Sequence, residues 1–257
     1  MSASATEPVD LAAVKSSLAD DKSIRYVATV HHETTTGRLN NMEELSAICH
    51  DAGVQLLVDA VSSFGAEAIE AKSWNVAALA ATANKCLHGI PGISFVLART
   101  ELWNEKTTQA GSVYLDLRNY HATQHDDGYS PFTQSVQAAF ALREALLELA
   151  EEGGWVERRK MYRDRAAKIY ATMQNCGVQG LLPADDCSCV LRSYRLPDGV
   201  SYQDLHAELK SNGYVIYAGQ GKLASSIFRI ANMGDIHPSE LDELGTIAAS
   251  FFESKRT

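Results

Sequence analysis

Positive charge is scarce in this chain. Its 23 Lys and Arg residues face 32 Asp and Glu, a formal charge of −9, and no basic cluster stands out. A protein that neutralises phosphates needs such a cluster, so nucleic acid is excluded as a partner. The acidity serves solubility and leaves substrate charge to be set locally. Long apolar runs are also missing. No stretch approaches the length that spans a bilayer, so no membrane association is expected. The opening MSASATEP lacks the apolar core of a secretory signal. Cysteine forms no regular framework: the five stand at 49, 86, 176, 187 and 189. An odd count without a leader points to reduced thiols and a cytoplasmic location. The CSC of Cys187 and Cys189 is too tight for a zinc knuckle. Internal repeats and low-complexity segments are absent too.

What remains is ordinary globular material, 46% hydrophobic and 21% charged over 257 residues, enough for one large domain or two small ones. Apolar spacing predicts a helix over 9–18 and a strand over 24–30 that delivers the string HHETTTG (31–37) to a loop. His31 and His32 are neighbours on an extended chain and point to opposite faces, which disfavours a shared metal ion. A helix over 41–52, with Asn40 or Asn41 as N-cap and Gly53 just past its end, leads into a strand over 54–59. That strand–helix–strand order implies a parallel sheet.

The chain is organised around residues 54–92. An apolar run ends in an acid at Asp59, and a small-residue run over 77–85 ends in an amine at Lys85. Ligands of open α/β sheets bind beyond the carboxyl ends of such strands, so both groups are placed to share a crevice. Pyridoxal phosphate needs a lysine to anchor it and a carboxylate at its pyridine nitrogen, and this pair suits it. The same two residues also suit a structural ion pair. Cys86, beside Lys85, is expected to pack as a small hydrophobe.

Further along, GIPG (89–92) reads as a turn and 93–98 as a strand. Residues 111–130 show poor periodicity and read as a long loop. Helices are predicted over 133–153 and 155–176. The second carries Arg158, Arg159, Lys160, Arg163, Arg165 and Lys168, read as a solvated basic face. The remainder alternates differently: strand 188–194, helix 202–210 with Gly213 after it, strands 214–217 and 226–230, and a helix over 238–252 with proline in its first turn.

Four strings in order, HHETTTG (31–37), VDAVSSFGA (58–66), ATANKCLHGIPG (81–92) and FRIANMGD (228–235), resemble the class V branch of the fold-type I aminotransferases. Within it the likeness is to the 2-aminoethylphosphonate–pyruvate transaminases, a branch favoured by the CLHGIPG string. The 93–98 strand is then expected at an edge or antiparallel. The resemblance implies an α/β fold of the pyridoxal-phosphate-dependent transferase type I. Residues 1–155 would form part of a large domain with a mainly parallel sheet, and 156–257 a small α+β domain. It implies pyridoxal 5′-phosphate as cofactor, a small-molecule amino donor and a 2-oxo acid as substrates, and a homodimer. The implied reaction gives phosphonoacetaldehyde and L-alanine from 2-aminoethylphosphonate and pyruvate. An alanine– or serine–glyoxylate type of aminotransferase is the alternative, and a truncated, non-catalytic relic or partial gene model is a third.

The resemblance also assigns roles. Lys85 would hold the cofactor and shuttle the proton, and Asp59 would pair with the ring nitrogen. Val61 would share Asp59's side if the chain stays extended and would pack on the ring. Thr34 and Asn84 would lie near the phosphate, while Ser130 and Thr133 would reach the phosphate of the neighbouring subunit. Thr133 is also expected at a helix start, where backbone N–H groups favour an anion. Arg229 would grip the substrate anion with its bidentate fork. Ala231 stands where the family motif carries glycine, and Arg38 and Asn41 depart from the usual apolar residue and proline. Family members also begin with a segment that supplies a Gly/Ser-rich phosphate loop and a stacking aromatic. Without it, strands such as 56–59 are expected to show an apolar face to water, and the chain to bind the cofactor weakly and tend to aggregate.

Overall fold

The computed structural model describes residues 6–104 and 111–256. Helix α1 (Leu11–Asp20) starts where Asp10 accepts the Ala13 N–H, and it buries Val14 and Leu18. Strand β1 (Tyr26–Val30) follows. The next stretch is not the expected plain loop. β2 (His32–Glu33) and β3 (Arg38–Leu39) pair antiparallel, with Gly37 at φ +90° closing the hairpin. Two-residue strands leave too short an alternation to be read from sequence. Helix α2 (Met42–Asp51) is capped by Asn41, which accepts the Glu44 N–H, and Gly53 follows at φ +69°.

β4 (Gln55–Asp59), β5 (Val76–Thr82) and β6 (Ser94–Ala98) complete a sheet in the order β1-β4-β5-β6. β1, β4 and β5 run parallel and β6 runs antiparallel at the edge. Side chains alternate across it. Leu56, Val58, Leu79 and Ala81 join Val14, Leu18, Leu45 and Cys49 in a core under α1 and α2. The opposite face bears Leu57, Ala78 and Val96 and opens as a shallow cavity of about 470 Å³ that reaches Asp59 and Val61. Leu57 is only partly buried there.

Residues 117–126 form a helix, α3 (Leu117–Asp126), where irregular structure was expected. Asp116 caps it by accepting from Arg118 and Asn119, yet it buries no residue. A helix without a buried face writes no apolar period into its sequence. Helix α4 (Val136–Glu151) begins at its N-cap Ser135, which accepts the Ala138 N–H. Thr133 therefore lies before the helix and is exposed, contrary to its expected place at the helix start. Gly153 and Gly154, both at positive φ, turn the chain into α5 (Trp155–Asn175).

The remaining elements are β7 (Leu191–Arg195), α6 (Tyr202–Ser211), β8 (Tyr217–Ala218), β9 (Ile227–Ala231) and α7 (Pro238–Ser254). Their antiparallel sheet runs β7-β9-β8. β8 is shorter and later than the expected 214–217. Pro238 opens α7 behind a capping box of His237 and Glu240. Ile169, Met173, Leu205, Leu209, Phe228 and Phe251 contribute to a second core. A small third cluster contains Ala66, Cys86, Tyr162, Cys189 and Val190. Among the described residues no helix is long and apolar enough to cross a membrane.

Candidate active site

The parallel strands β1, β4 and β5 end at one edge of the sheet, and the turns that follow them are tied to each other. Asp59 is the last residue of β4, paired in register with Val30 and Ala80. It is exposed, and its Oδ1 accepts the Val61 N–H at 2.9 Å. Residues 61–66 are turns, so Val61 is not extended as expected. It still lines the same cavity as Asp59, because the side-chain bond folds the chain back. Lys85 lies three residues beyond β5, in the turn that follows it. It is partly buried, and its ammonium makes no hydrogen bond or ion pair among the described residues. Asn84 accepts from Thr82 Oγ1 at 2.8 Å through Oδ1.

The hairpin after β1 brings two buried histidines to this edge. His31 Nδ1 lies 3.0 Å from Ser63 Oγ, and its ring meets Trp74 edge-on. Burial lowers its pKa to about 4. His32 Nδ1 donates to Ser62 O at 2.8 Å, which leaves Nε2 as the free lone pair. That atom is buried and has no hydrogen-bond partner among the described residues. Burial also lowers the His32 pKa. The two rings serve different partners and share none.

Arg229 on β9 reaches the hairpin. Its Nε donates to Ala218 O at 2.8 Å and its Nη1 to Thr34 O at 2.9 Å. Thr34 is thus brought to the guanidinium by its carbonyl, and Nη2 keeps no partner among the described residues. Ser130 and Thr133 are not drawn into this group. Ser130 Oγ accepts from Gln134 Nε2 at 2.9 Å, Thr133 is exposed, and no hydrogen bond joins either to the Lys85 turn.

Several residues that hold the edge together were not singled out from sequence. Glu67 is almost wholly buried. Its carboxylate accepts from Ser188 Oγ and the Cys189 N–H, both at 2.8 Å, and from Arg159 Nε at 3.0 Å. Burial pushes its pKa up, but these donors outweigh burial and leave it below the usual range. Asn232 Nδ2 donates to Tyr162 O at 2.8 Å and Cys189 O at 2.9 Å. The solvated basic face of α5 is overturned at three positions. Arg158 is wholly buried, Arg159 pairs with Glu67, and Arg165 donates to the carbonyls of Asn232, Gly234 and Ile236. A run of basic residues gives no sign of which of them faces inward. Cys86 is buried, and burial pushes its thiol up to about 12, so it packs as expected.

The chain has the fold known as type I among the pyridoxal-phosphate-dependent transferases. It superposes on alanine–glyoxylate aminotransferase from Nostoc sp. with a TM-score of 0.87 at 24% identity, covering 95% of this chain and 66% of that one. The pyridoxamine–pyruvate aminotransferase from Mesorhizobium loti gives 0.84 at 24% identity, covering 97% and 64%. The model of the class V aminotransferase family matches residues 1–252, and the chain belongs to that family. It is 37% identical to a 2-aminoethylphosphonate–pyruvate transaminase from Aeromonas hydrophila over 90% of this chain and 62% of that protein. It is 36% identical to one from Bacillus cytotoxicus over 93% and 66%. The chain thus spans about two thirds or less of these relatives' length.

The residues present fit the family's cofactor, pyridoxal phosphate. An acid and an unpaired amine stand at one sheet edge, and His32 Nε2 is a buried acceptor without a donor. Asp59, Lys85, Val61, Thr34 and Asn84 are the residues that the family resemblance assigns to that cofactor.

Proposed function

We propose that this chain carries the catalytic edge of a pyridoxal-phosphate-dependent transaminase that moves the amino group of 2-aminoethylphosphonate to pyruvate. One observation carries the reading. Asp59 ends β4, Lys85 follows the adjacent parallel strand β5, and Arg229 is bonded to the turn after the third. The 36–37% identity to proteins named as 2-aminoethylphosphonate–pyruvate transaminases supports the choice of substrates.

Bound there, pyridoxal phosphate would supply an aldehyde for an amine and a protonated ring that withdraws electrons from the amino-bearing carbon. Asp59 places a fixed negative charge at the end of β4, suited to a protonated ring nitrogen. Lys85, without a hydrogen-bond or ion-pair partner among the described residues, is able to take up and return a proton. Arg229 is held rigid at Nε and Nη1 and offers the rest of its guanidinium to a carboxylate or phosphonate. Ser130 and Thr133 make no hydrogen bond to the Lys85 turn among the described residues, and in this reading they serve the second subunit of a homodimer.

The test is to titrate the purified chain with pyridoxal phosphate, reduce with borohydride and map the modified peptide. The label is expected on Lys85 and is lost in Lys85→Ala. A label that persists elsewhere in that variant overturns the assignment. Turnover of 2-aminoethylphosphonate with pyruvate is expected to exceed turnover of alanine with glyoxylate. The reverse order moves the chain to the glyoxylate branch.

A further inference from the structure

We infer that Arg158 and Tyr162 are positioning residues that set Lys85 through the turn it sits on, an inference that rests on the transaminase reading. Lys85 makes no side-chain bond among the described residues, so the backbone around it decides where its amine points. Arg158 and Tyr162 are one helical turn apart on α5 and leave the same face. Both are wholly buried; Arg158 uses Nε and Nη1 in hydrogen bonds, while Nη2 lies 2.6 Å from Glu152 Oε2 as an ion pair without hydrogen-bond geometry.

Arg158 Nη1 donates at 2.8 Å to the carbonyl of Cys86, the residue after Lys85. Its Nε donates to Glu152 Oε2 at 2.9 Å, which fixes the guanidinium from its other side. Tyr162 sets its hydroxyl against Nε2 of His88, and the same nitrogen accepts the Gly234 N–H at 3.2 Å. His88 closes the turn on Lys85 by donating its N–H to Lys85 O at 2.9 Å. It does so at φ +67°, a left-handed conformation that a non-glycine residue keeps only when its surroundings hold it there. The turn is therefore gripped at Cys86 and at His88, both from α5.

The same helix spaces this turn from the substrate side. Arg165 donates to the carbonyls of Asn232, Gly234 and Ile236, at 3.3, 2.8 and 2.8 Å, just past the strand that carries Arg229. α5 thus fixes the amine and the anion clamp relative to each other.

The test compares Arg158→Gln, Arg158→Lys and Tyr162→Phe in the full chain. One readout is the rate of borohydride-trapped pyridoxal phosphate on Lys85, and the other is hydrogen exchange by peptide. Arg158→Gln is expected to slow trapping at least tenfold while the half-saturating cofactor concentration moves less than threefold. Amides of 84–89 exchange at least fivefold faster, and those of 55–58 are unchanged. Arg158→Lys keeps one donor for the Cys86 carbonyl and recovers part of the rate. Tyr162→Phe loses only the hydroxyl and shifts both readouts about threefold, and it carries the test if Arg158→Gln does not fold. Wild-type trapping and exchange in these variants, or exchange accelerated evenly over the whole chain, overturns the inference. If the parent chain traps no cofactor on Lys85, the transaminase reading fails. Exchange in 84–89 then decides the grip by itself.

Discussion

Replacing Glu67 by Gln tests whether the buried polar knot between the turn after β4 and the start of β7 holds the molecule together. The side chain is 2% exposed and accepts three hydrogen bonds, from Ser188 Oγ, the Cys189 N–H and Arg159 Nε. Gln keeps the shape but loses the charge, and its amide turns two donors toward groups that are themselves donors. Breaking a buried charge pair from one side costs about 3–5 kcal/mol. Arg159 is 31% exposed and can rehydrate, so we expect the lower end, about 3 kcal/mol. For a chain of this size that is a fall in melting temperature of roughly 6–12 °C. Urea unfolding of Glu67→Gln, Arg159→Met and the double variant gives the coupling directly. The exposed pair Arg143–Glu144 is the control, and its loss is expected to change nothing measurable. A loss under about 1 kcal/mol for Glu67→Gln, or no coupling in the cycle, refutes the reasoning.

Three further outcomes are expected. His31 has a folded pKa of about 4 against an unfolded value near 6.5, so its neutral form is the one folding favours. Its contribution is complete above pH 6.5 and is lost as pH falls to 4, on the order of 3 kcal/mol. Urea midpoints at pH 7, 5 and 4 check it, and His31→Asn should flatten that slope. Gly37→Ala puts a Cβ 2.8 Å from Leu191 O at φ +90°, so we expect at least about 2 kcal/mol of lost stability by the same unfolding assay. Arg229→Lys loses both carbonyl anchors and the fork, so substrate use should weaken roughly tenfold to a hundredfold for about 1.5–3 kcal/mol, with cofactor affinity retained. Steady-state kinetics with 2-aminoethylphosphonate and pyruvate read this out, and unchanged constants remove Arg229 from the substrate site.

The sequence by itself determined many of the pieces that form, and it pointed to Asp59 and Lys85 at the ends of two of them. Apolar period sufficed for α1 and α6, and for α2 and α7 an N-cap asparagine or a first-turn proline marked the start as well, because each of these helices buries one face. The run that ends at Asp59 and the small-residue run before Lys85 were readable as parallel strands, since both are short, apolar and bounded by turn residues. Only the tertiary structure decided the rest. α3 buries nothing, so its helix rests on the Asp116 cap and leaves no period to find. Arg158, Arg159 and Arg165 looked like one solvated face, and whether an arginine meets water, Glu67 or a backbone carbonyl depends on what packs against α5 from distant segments. Thr34 meets Arg229 across 195 positions of sequence, because a hairpin docks on a second sheet. Local propensity acts over a few residues and is written in the order of the chain. Burial and hydrogen-bond partnership are settled between segments that only the fold brings together.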